Sequence, residues 1–193
     1  MNKELFAKND FVLVKGFIDA DMISNVSRYF ENSLAMDRLS NRQCPDNISE
    51  YFFYADSFVE VILENSRSSM EEIVNKSLYP TYSYSRIYMG NDDLDIHVDR
   101  PSCEYSATIN IARKGNPWPI WVKAPNGKPV ECVLEPGDGV VYKGMEVEHW
   151  RNTLAQSGTE LNVQIMLHYV DVDGPHAELK FDMREKLGLP SVH

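Results

Sequence analysis

A histidine and an aspartate stand two positions apart in the segment DIHVDRPSCEYSATINIA, residues 95–112. Successive side chains of a β-strand point to opposite faces, so His97 and Asp99 would project from the same face of an extended chain. Two interpretations of this pair are open. It is either a hydrogen-bonded structural pair, or it supplies two ligands of a metal ion and requires a third.

His149 is the candidate for the third ligand. It lies in the segment EVEHWR, after the turn EPGDG, on a predicted late strand that a barrel can bring back beside the strand of His97. Two imidazoles and one carboxylate form the facial triad of non-heme Fe(II) oxygenases, and the opposite face of the ion stays open. From spacing alone, a histidine that makes only a structural hydrogen bond explains His149 equally well.

The elements that must position these residues begin with helices. The segment FVLVKGF, residues 11–17, predicts a short strand. An apolar stripe over residues 18–34 predicts an amphipathic helix, with Asp19 or Asp21 near its N-cap. A second amphipathic helix is predicted over residues 57–78. We expect both helices to be scaffold.

The pattern changes after Pro80. The segment TYSYSRIYMG alternates strictly, and it is followed by LDIHVD, YSATINIA, WPIWVKA, PVECVLE, GVVYKG, EVEHWR and LNVQIMLHYVDV. Breaks containing Gly, Pro and Asn separate these segments. Roughly eight short strands at this spacing predict a β-barrel or sandwich. The tail from Gly174 is polar, and its AELKFDMREKLG segment could be helical.

Composition limits the class of protein. The chain has 193 residues, of which 43% are hydrophobic, so we expect one domain with one core. A net charge of −10 argues against a nucleic-acid partner. No stretch approaches the roughly 20 apolar residues of a membrane span, and no basic region precedes an apolar one at the N-terminus. Three widely separated cysteines indicate reduced thiols, and we expect a cytoplasmic protein.

The segments YSYSRIYMGNDDLDIHVD, SATINIA, LEPGDGVVYKGMEVEHWR and NVQIMLHYVD, in this order, resemble the catalytic half of 2-oxoglutarate/Fe(II)-dependent oxygenases. Within that superfamily they are most similar to the prolyl-hydroxylase-like branch and its phage or bacterial relatives. The resemblance implies an α+β, mainly β fold: a double-stranded β-helix (jelly-roll) barrel with N-terminal support helices. It divides the chain into a support region (1–80), a catalytic core (81–173) and a tail (174–193).

The resemblance also implies a reaction. His97, Asp99 and His149 would be both the metal ligands and the catalytic centre, with Fe(II) and 2-oxoglutarate as cofactors. The enzyme would use O₂ to hydroxylate a peptide side chain or a small molecule, and it would release succinate and CO₂. The pair at residues 97 and 99 is then interpreted as two iron ligands.

The family usually anchors the distal carboxylate of 2-oxoglutarate with an Arg or Lys on the last barrel strand. The corresponding segment here, SGTELNVQIM, contains no cation. Arg151 would share the face of His149 if that strand continues, and its guanidinium suits a carboxylate. Arg86 is a further candidate and would share a strand face with Tyr82, Tyr84 and Tyr88, and Lys143 is another. Asn110 would face inward if the SATINIA strand alternates as expected. The predicted cosubstrate-binding residues are Arg151, Arg86, Tyr88, Tyr84, Asn110 and Gln164.

Two other functions stay open at this point. One is a cupin-like metal enzyme that does not use 2-oxoglutarate, which the missing distal cation favours. The other is a metal-binding jelly-roll module without catalysis. The segment NRQCPDNISE, residues 41–50, is polar, contains a proline and predicts a loop. Loops and lids are expected to set the specificity for the substrate, here residues 41–54, residues 100–105 and the C-terminal tail. Neither the substrate nor the oligomeric state follows from the sequence.

Overall fold

The computed structural model describes residues 1–36 and 51–189. Within them the chain forms four α-helices, two 3-10 segments and ten β-strands. The helices are α1 (Asn2–Asn9), α2 (Ala20–Ala35), α3 (Ser57–Val74) and α4 (Leu154–Ser157), and the 3-10 segments cover Pro101–Cys103 and Ala177–Met183. The strands are β1 (Phe11–Val14), β2 (Tyr51–Tyr54), β3 (Leu78–Met89), β4 (Leu94–His97), β5 (Tyr105–Gly115), β6 (Ile120–Lys123), β7 (Pro129–Cys132), β8 (Gly139–Lys143), β9 (His149–Arg151) and β10 (Thr159–Asp171).

The strands form two antiparallel sheets. The larger sheet has the order β1-β8-β5-β10-β3-β2, and the smaller has the order β4-β9-β6-β7. An apolar cluster joins them, with Ile120 and Val122 from the smaller sheet against Val140 and Tyr142 from the larger. The eight strands β3 to β10 agree with the strand pattern predicted after Pro80.

Helices α2 and α3 cover the outer face of the larger sheet. Phe30 of α2 and Leu63 and Met70 of α3 are buried in one core cluster with Ile109 and Ile165 of the central strands. Each such side chain contributes roughly 1.5–3 kcal/mol when it is removed from water. The helices therefore act as the predicted scaffold, and they leave the inner face of the sheet for a cavity.

Strict alternation divides the central strands between these two faces. On β5, Ile109 joins the helical core, while its neighbour Thr108 lines the cavity between the sheets. On β10, Ile165 likewise joins the helical core, and its neighbour Gln164 lines the cavity. A shift of one residue would exchange the two sets, so the hydrophobic pattern fixes the strand register.

Several boundaries differ from the predicted ones. Strand β1 ends at Val14, and α2 begins after Asp19, whose side chain accepts a hydrogen bond from Met22 N at 2.8 Å. Helix α3 ends at Val74 because Asn75 adopts a left-handed conformation (φ 57°) and caps it. Strand β3 consequently starts at Leu78, within the segment predicted as helix.

Other elements were not predicted at all. Helix α1 has one buried side chain, Phe6, and a weak apolar pattern. Strand β2 occupies residues 51–54, where the sequence suggested a loop. The predicted loop at residues 41–50, with Cys44, lies outside the described residues. Cys103 and Cys132 are buried free thiols. No helix of the described ranges is long and apolar enough to span a membrane.

Candidate metal centre and cavity

The structure brings His97, Asp99 and His149 together. The ligand atoms of the three side chains all lie within 4.8 Å of one another. Asp99 Oδ1 is 3.7 Å from His97 Nε2 and 3.6 Å from His149 Nε2. Cross-strand pairing causes this, because His97 at the end of β4 is directly opposite His149 at the start of β9.

Backbone contacts fix the orientation of each ligand. His97 Nδ1 contacts the carbonyl oxygen of Asp95 at 2.8 Å, and His149 Nδ1 contacts that of Val147 at 2.9 Å. A carbonyl only accepts, so each Nδ1 carries the proton and each Nε2 keeps its lone pair. Both lone pairs are therefore available on the side of Asp99, as a metal-binding histidine requires.

These donors fit a divalent transition metal. Bonds of about 2.1 Å at right angles place neighbouring donor atoms about 3 Å apart, slightly closer than the separations found here. Burial lowers the pKa of His149 to about 4, so its imidazole is neutral at pH 7. Burial raises the pKa of Asp99 to about 6, and nearby His97 acts in the opposite direction. Two nitrogens and one oxygen form the donor set of a 2-His-1-carboxylate centre.

Asp99 is held by a close backbone approach. Its N–H donates to the carbonyl oxygen of Gly144 at 2.8 Å. A Cβ at position 144 would lie 2.1 Å from Cys103 O and 2.6 Å from Asp99 Oδ2. Only glycine fits at position 144 without a steric clash, because any side chain there would displace the carboxylate of Asp99.

A cavity of about 670 Å³ opens beside the triad, between the two sheets. It extends along β10 from Gln164, past Met166, to His168. One end holds Arg151 with Gln164, and the other holds His168 among tyrosines. The cavity therefore has two ends next to the triad, which we call the arginine end and the tyrosine end.

Arg151 is the principal cation of the arginine end. Its side chain is only 2% exposed. Its guanidinium donates to Trp118 O and to Gln164 Oε1, both at 2.6 Å, and lies 4.7 Å from the centroid of the Trp118 ring. Burial lowers its pKa to about 10. Both hydrogen-bond acceptors are neutral, so within the described residues the structure gives this buried cation no carboxylate.

Other predicted residues line the same cavity. Gln164 also donates to Asn162 Oδ1 at 2.7 Å, which orients its amide oxygen toward Arg151. Arg86 is directly opposite Gln164 across the β3–β10 pair, and its guanidinium lies 5.1 Å from the centroid of the Tyr84 ring. Tyr88 packs edge-to-face on Trp118. Arg86, Tyr84 and Tyr88 all contribute to the cavity wall.

Two of the candidates are elsewhere. Asn110 faces inward from β5 as predicted, but its amide donates to Leu134 O at 2.9 Å and it does not line the cavity. Lys143 forms ion pairs with Asp10 at 2.7 Å and Glu146 at 3.3 Å, also outside the cavity wall. Arg151 is therefore better placed than Lys143 to meet a bound anion.

Sequence reasoning missed three polar residues near the triad. Tyr142 OH lies 3.5 Å from His149 Nε2 and 3.1 Å from Thr108 Oγ1. Ser106 contacts both Asp99 and His168. Burial lowers the pKa of His168 to about 3. Alternation could have found Ser106 and His168, since they share faces with Thr108 and Gln164 on their own strands.

The C-terminal segment contacts residues of the tyrosine end. Asp182 accepts hydrogen bonds from Tyr54, from Arg100 at 2.8 Å and from Ser102 at 2.7 Å. Phe181, Asp182 and Met183 all have φ between 52° and 62°. This left-handed backbone conformation is rare for residues other than glycine. No local sequence signal indicates this contact, because the tail meets these residues only in the folded chain.

Solved structures provide a comparison for this arrangement. A prolyl-4-hydroxylase from Pseudomonas putida matches with a TM-score of 0.66 and 13% identity, over 87% of this chain and 98% of its own. The non-heme alpha-ketoglutarate-dependent carbocyclase SnoK from nogalamycin biosynthesis matches with a TM-score of 0.71 and 9% identity, over 89% of this chain and 83% of its own. HygX from Streptomyces hygroscopicus, with nickel and 2-oxoglutarate bound, matches with a TM-score of 0.64 and 11% identity, over 88% of this chain and 86% of its own.

No protein-family model matches the sequence, and no curated protein is significantly similar to it. At 9–13% identity the solved structures establish the fold alone. The predicted fold class is confirmed. The chain has an α+β, mainly β architecture, the double-stranded β-helix found in these 2-oxoglutarate-dependent oxygenases.

Proposed function

We propose that this protein is an Fe(II)- and 2-oxoglutarate-dependent dioxygenase that hydroxylates a compact small molecule. The observation that carries the proposal is a buried arginine, Arg151, on the same strand face as His149 and without a carboxylate partner among the described residues. His97, Asp99 and His149 would hold the metal. Bound iron would supply the activation of O₂ that hydroxylation requires, coupled to conversion of 2-oxoglutarate to succinate and CO₂.

The spacing of His149 and Arg151 suits the proposed cosubstrate. Two residues along a strand span about 6.7 Å, which is comparable to the length of an extended five-carbon dicarboxylate. A carboxylate at Arg151 would then leave the 2-oxo acid group beside the triad. The remaining guanidinium N–H groups would donate to that carboxylate, and the pair would be strong because both partners are charged.

The neighbours of Arg151 would hold it ready. Trp118 O and Gln164 Oε1 accept from two of its nitrogens and fix the plane of the guanidinium. An anion would balance a buried charge that is otherwise unfavourable. Arg151 can thus replace the family's cation on the last strand, whose segment SGTELNVQIM contains none. This placement supports the proposal over a cupin-like enzyme without 2-oxoglutarate.

The tyrosine end would receive the substrate. Tyr54 and Tyr82 have ring centroids 5.0 Å apart, and Tyr82 and His168 have centroids 4.6 Å apart. Asp182 accepts hydrogen bonds from Tyr54 and Arg100, and so it links two residues of the cavity wall on this side. Small-molecule sites are concave and have volumes of roughly 300–1,000 Å³, whereas peptides usually bind open grooves or sheet edges. The cavity therefore favours a compact molecule over a polypeptide.

A titration under anaerobic conditions tests the cosubstrate. Apo-protein receives Fe(II) and then 2-oxoglutarate, and the visible charge-transfer absorption of an iron-chelated 2-oxo acid is recorded. We expect the absorption in the wild type and its loss in His97→Ala. Iron binding without this absorption would reject 2-oxoglutarate and favour the cupin-like alternative. Absence of iron binding would reject the enzyme proposal itself.

A second experiment tests the substrate class. Succinate release from 2-oxoglutarate is measured with pools of small metabolites and, separately, with a library of short peptides that includes proline-rich sequences. Stimulation by a metabolite pool, absent in His97→Ala, is the expected result. Stimulation by peptides alone would reject the small-molecule assignment and would favour the prolyl-hydroxylase-like branch that the sequence resembles.

A further inference from the structure

A chain of hydrogen bonds leads from His168 in the cavity wall through Ser106 to the carboxylate of Asp99, and we call it the relay. His168 Nδ1 lies 2.9 Å from Ser106 Oγ, and Ser106 Oγ lies 3.0 Å from Asp99 Oδ2. Ser106 and His168 are directly opposite each other in the β5–β10 pair. Their exposed fractions are 0% and 5%, so water does not compete strongly for these bonds.

The direction of these bonds follows from the number of protons. Ser106 has one hydroxyl proton, and the ionised carboxylate of Asp99 can only accept. The carbonyl oxygen of Cys103, 3.3 Å from Ser106 Oγ, also only accepts. If Ser106 donated to His168 instead, its oxygen would face the carboxylate lone pairs at 3.0 Å. Ser106 therefore donates to Asp99, and His168 Nδ1–H donates to Ser106.

These bonds leave the two oxygens of Asp99 in different situations. Oδ2 accepts from Ser106, while Oδ1 faces the Nε2 atoms of His97 and His149. We propose that His168 and Ser106 are positioning residues that hold Asp99 as a ligand through Oδ1 alone. A carboxylate that rotated to bind through both oxygens would occupy a coordination position that the cosubstrate or O₂ requires. The inference rests on the metal site of the proposed function.

The measurement is the dissociation constant of Fe(II) alone, determined anaerobically by competition with a chromophoric chelator. Loss of a residue that orients a metal ligand typically weakens binding 10–100-fold. We expect Ser106→Ala to weaken Fe(II) binding by about tenfold or more. Ser83→Ala is the matched control, because Ser83 is equally buried on β3 and lies outside the cavity wall. It should bind Fe(II) as the wild type does.

Two substitutions of His168 separate hydrogen bonding from packing. His168→Leu removes the donor and keeps much of the volume, so we expect it to weaken Fe(II) binding. His168→Asn places an amide N–H close to the position of Nδ1, so it should restore most of the affinity. Equal weakening in both variants would assign His168 to packing and overturn its role in the relay.

A double variant tests whether the two residues act in sequence. If His168 acts through Ser106, then Ser106→Ala with His168→Leu should bind Fe(II) no more weakly than Ser106→Ala alone. Additive losses would overturn the relay. Circular dichroism and thermal unfolding of every variant exclude global unfolding as the cause.

The outcomes also separate this inference from the proposed function. If the wild type binds Fe(II) and no variant differs from it, the relay is wrong and the metal site stands. If the wild type does not bind Fe(II), the proposed function fails and the relay fails with it. If Fe(II) binds but 2-oxoglutarate does not, the cosubstrate is rejected while the relay is still decided by the same variants.

Discussion

His149 and Arg151 project from the same face of strand β9, with one alternate residue between them. His149 Nε2 lies 3.6 Å from Asp99 Oδ1, and Arg151 donates to Gln164 Oε1 at 2.6 Å. A strand only three residues long therefore carries a metal ligand and a buried cation into one cavity. This relationship links the metal centre to the proposed anion site.

Replacing Arg151 should separate binding of the anion from binding of the metal. In Arg151→Gln we expect 2-oxoglutarate to bind about 100-fold more weakly, since a buried charge pair is lost. Fe(II) affinity should stay unchanged, because the three metal ligands remain. Isothermal titration of the apo-protein with Fe(II), and then of the Fe(II)-loaded protein with 2-oxoglutarate, gives the two constants. Arg113→Gln is the control, since Arg113 pairs with Glu135 at 2.7 Å outside the cavity wall. Equal losses in both variants would contradict the assignment.

Gly144 should tolerate no side chain. In Gly144→Ala the new methyl group meets Cys103 O and Asp99 Oδ2, so we expect a loss of about 1–3 kcal/mol in the free energy of unfolding. Fe(II) binding should weaken as well. Gly16→Ala is the control: its Cβ meets nothing within 4 Å, but its φ of 58° is left-handed, so about 1 kcal/mol is expected. Its Fe(II) binding should be normal. Denaturant unfolding and metal titration check both variants. Normal Fe(II) binding in Gly144→Ala would contradict the prediction.

The buried ion pair of Glu60 and Arg184 should anchor the C-terminal segment. Arg184 donates to both carboxylate oxygens of Glu60 and to Thr81 O. Arg184→Met leaves a carboxylate buried without its cation, for which we expect a loss of about 3–5 kcal/mol. Urea unfolding measures this loss.

The double variant Glu60→Met with Arg184→Met serves as its test. It removes both charges together, so it should recover a large part of the lost free energy of unfolding. A double variant as unstable as the single one would assign the loss to the other hydrogen bonds of Arg184.

Asp138 should make stability depend on acid pH. Burial raises the pKa of this carboxyl, but hydrogen bonds from Lys15, Gly16 N and Glu135 N outweigh it, so the pKa in the folded protein lies below the usual value. The stabilisation is therefore fully present above the unfolded-state pKa of about 3.9, and it is lost as the pH falls through the lower folded-state pKa.

The variant Asp138→Asn tests this linkage. It should lower the free energy of unfolding at pH 7 by about 1–3 kcal/mol, because backbone N–H groups lose a charged acceptor. The difference between wild type and variant should decrease below about pH 4. Urea unfolding across a pH series measures it. A difference independent of pH would show that the charge of Asp138 contributes nothing.

Local patterns in the sequence predicted much of the frame. Alternation after Pro80 indicated eight strands, and those strands are present. The same alternation placed Arg86, Tyr84 and Tyr88 on one face, and all three line the cavity. Asn110 marks the limit of this reasoning. Its strand face was predicted, but its amide turns to Leu134 O, a partner that depends on the fold. A single-domain organisation and a cytoplasmic location stay predictions.

The sequence by itself determined which residues can share a face, because strand and helix periods follow from backbone geometry alone. His97 with Asp99, and His149 with Arg151, are pairs of this kind. Only the tertiary structure decided which faces meet. Ser106 and His168 are 62 residues apart, and Asp182 is 82 residues from Arg100. Contacts of that separation depend on sheet pairing and on the packing of the tail, which no local pattern encodes.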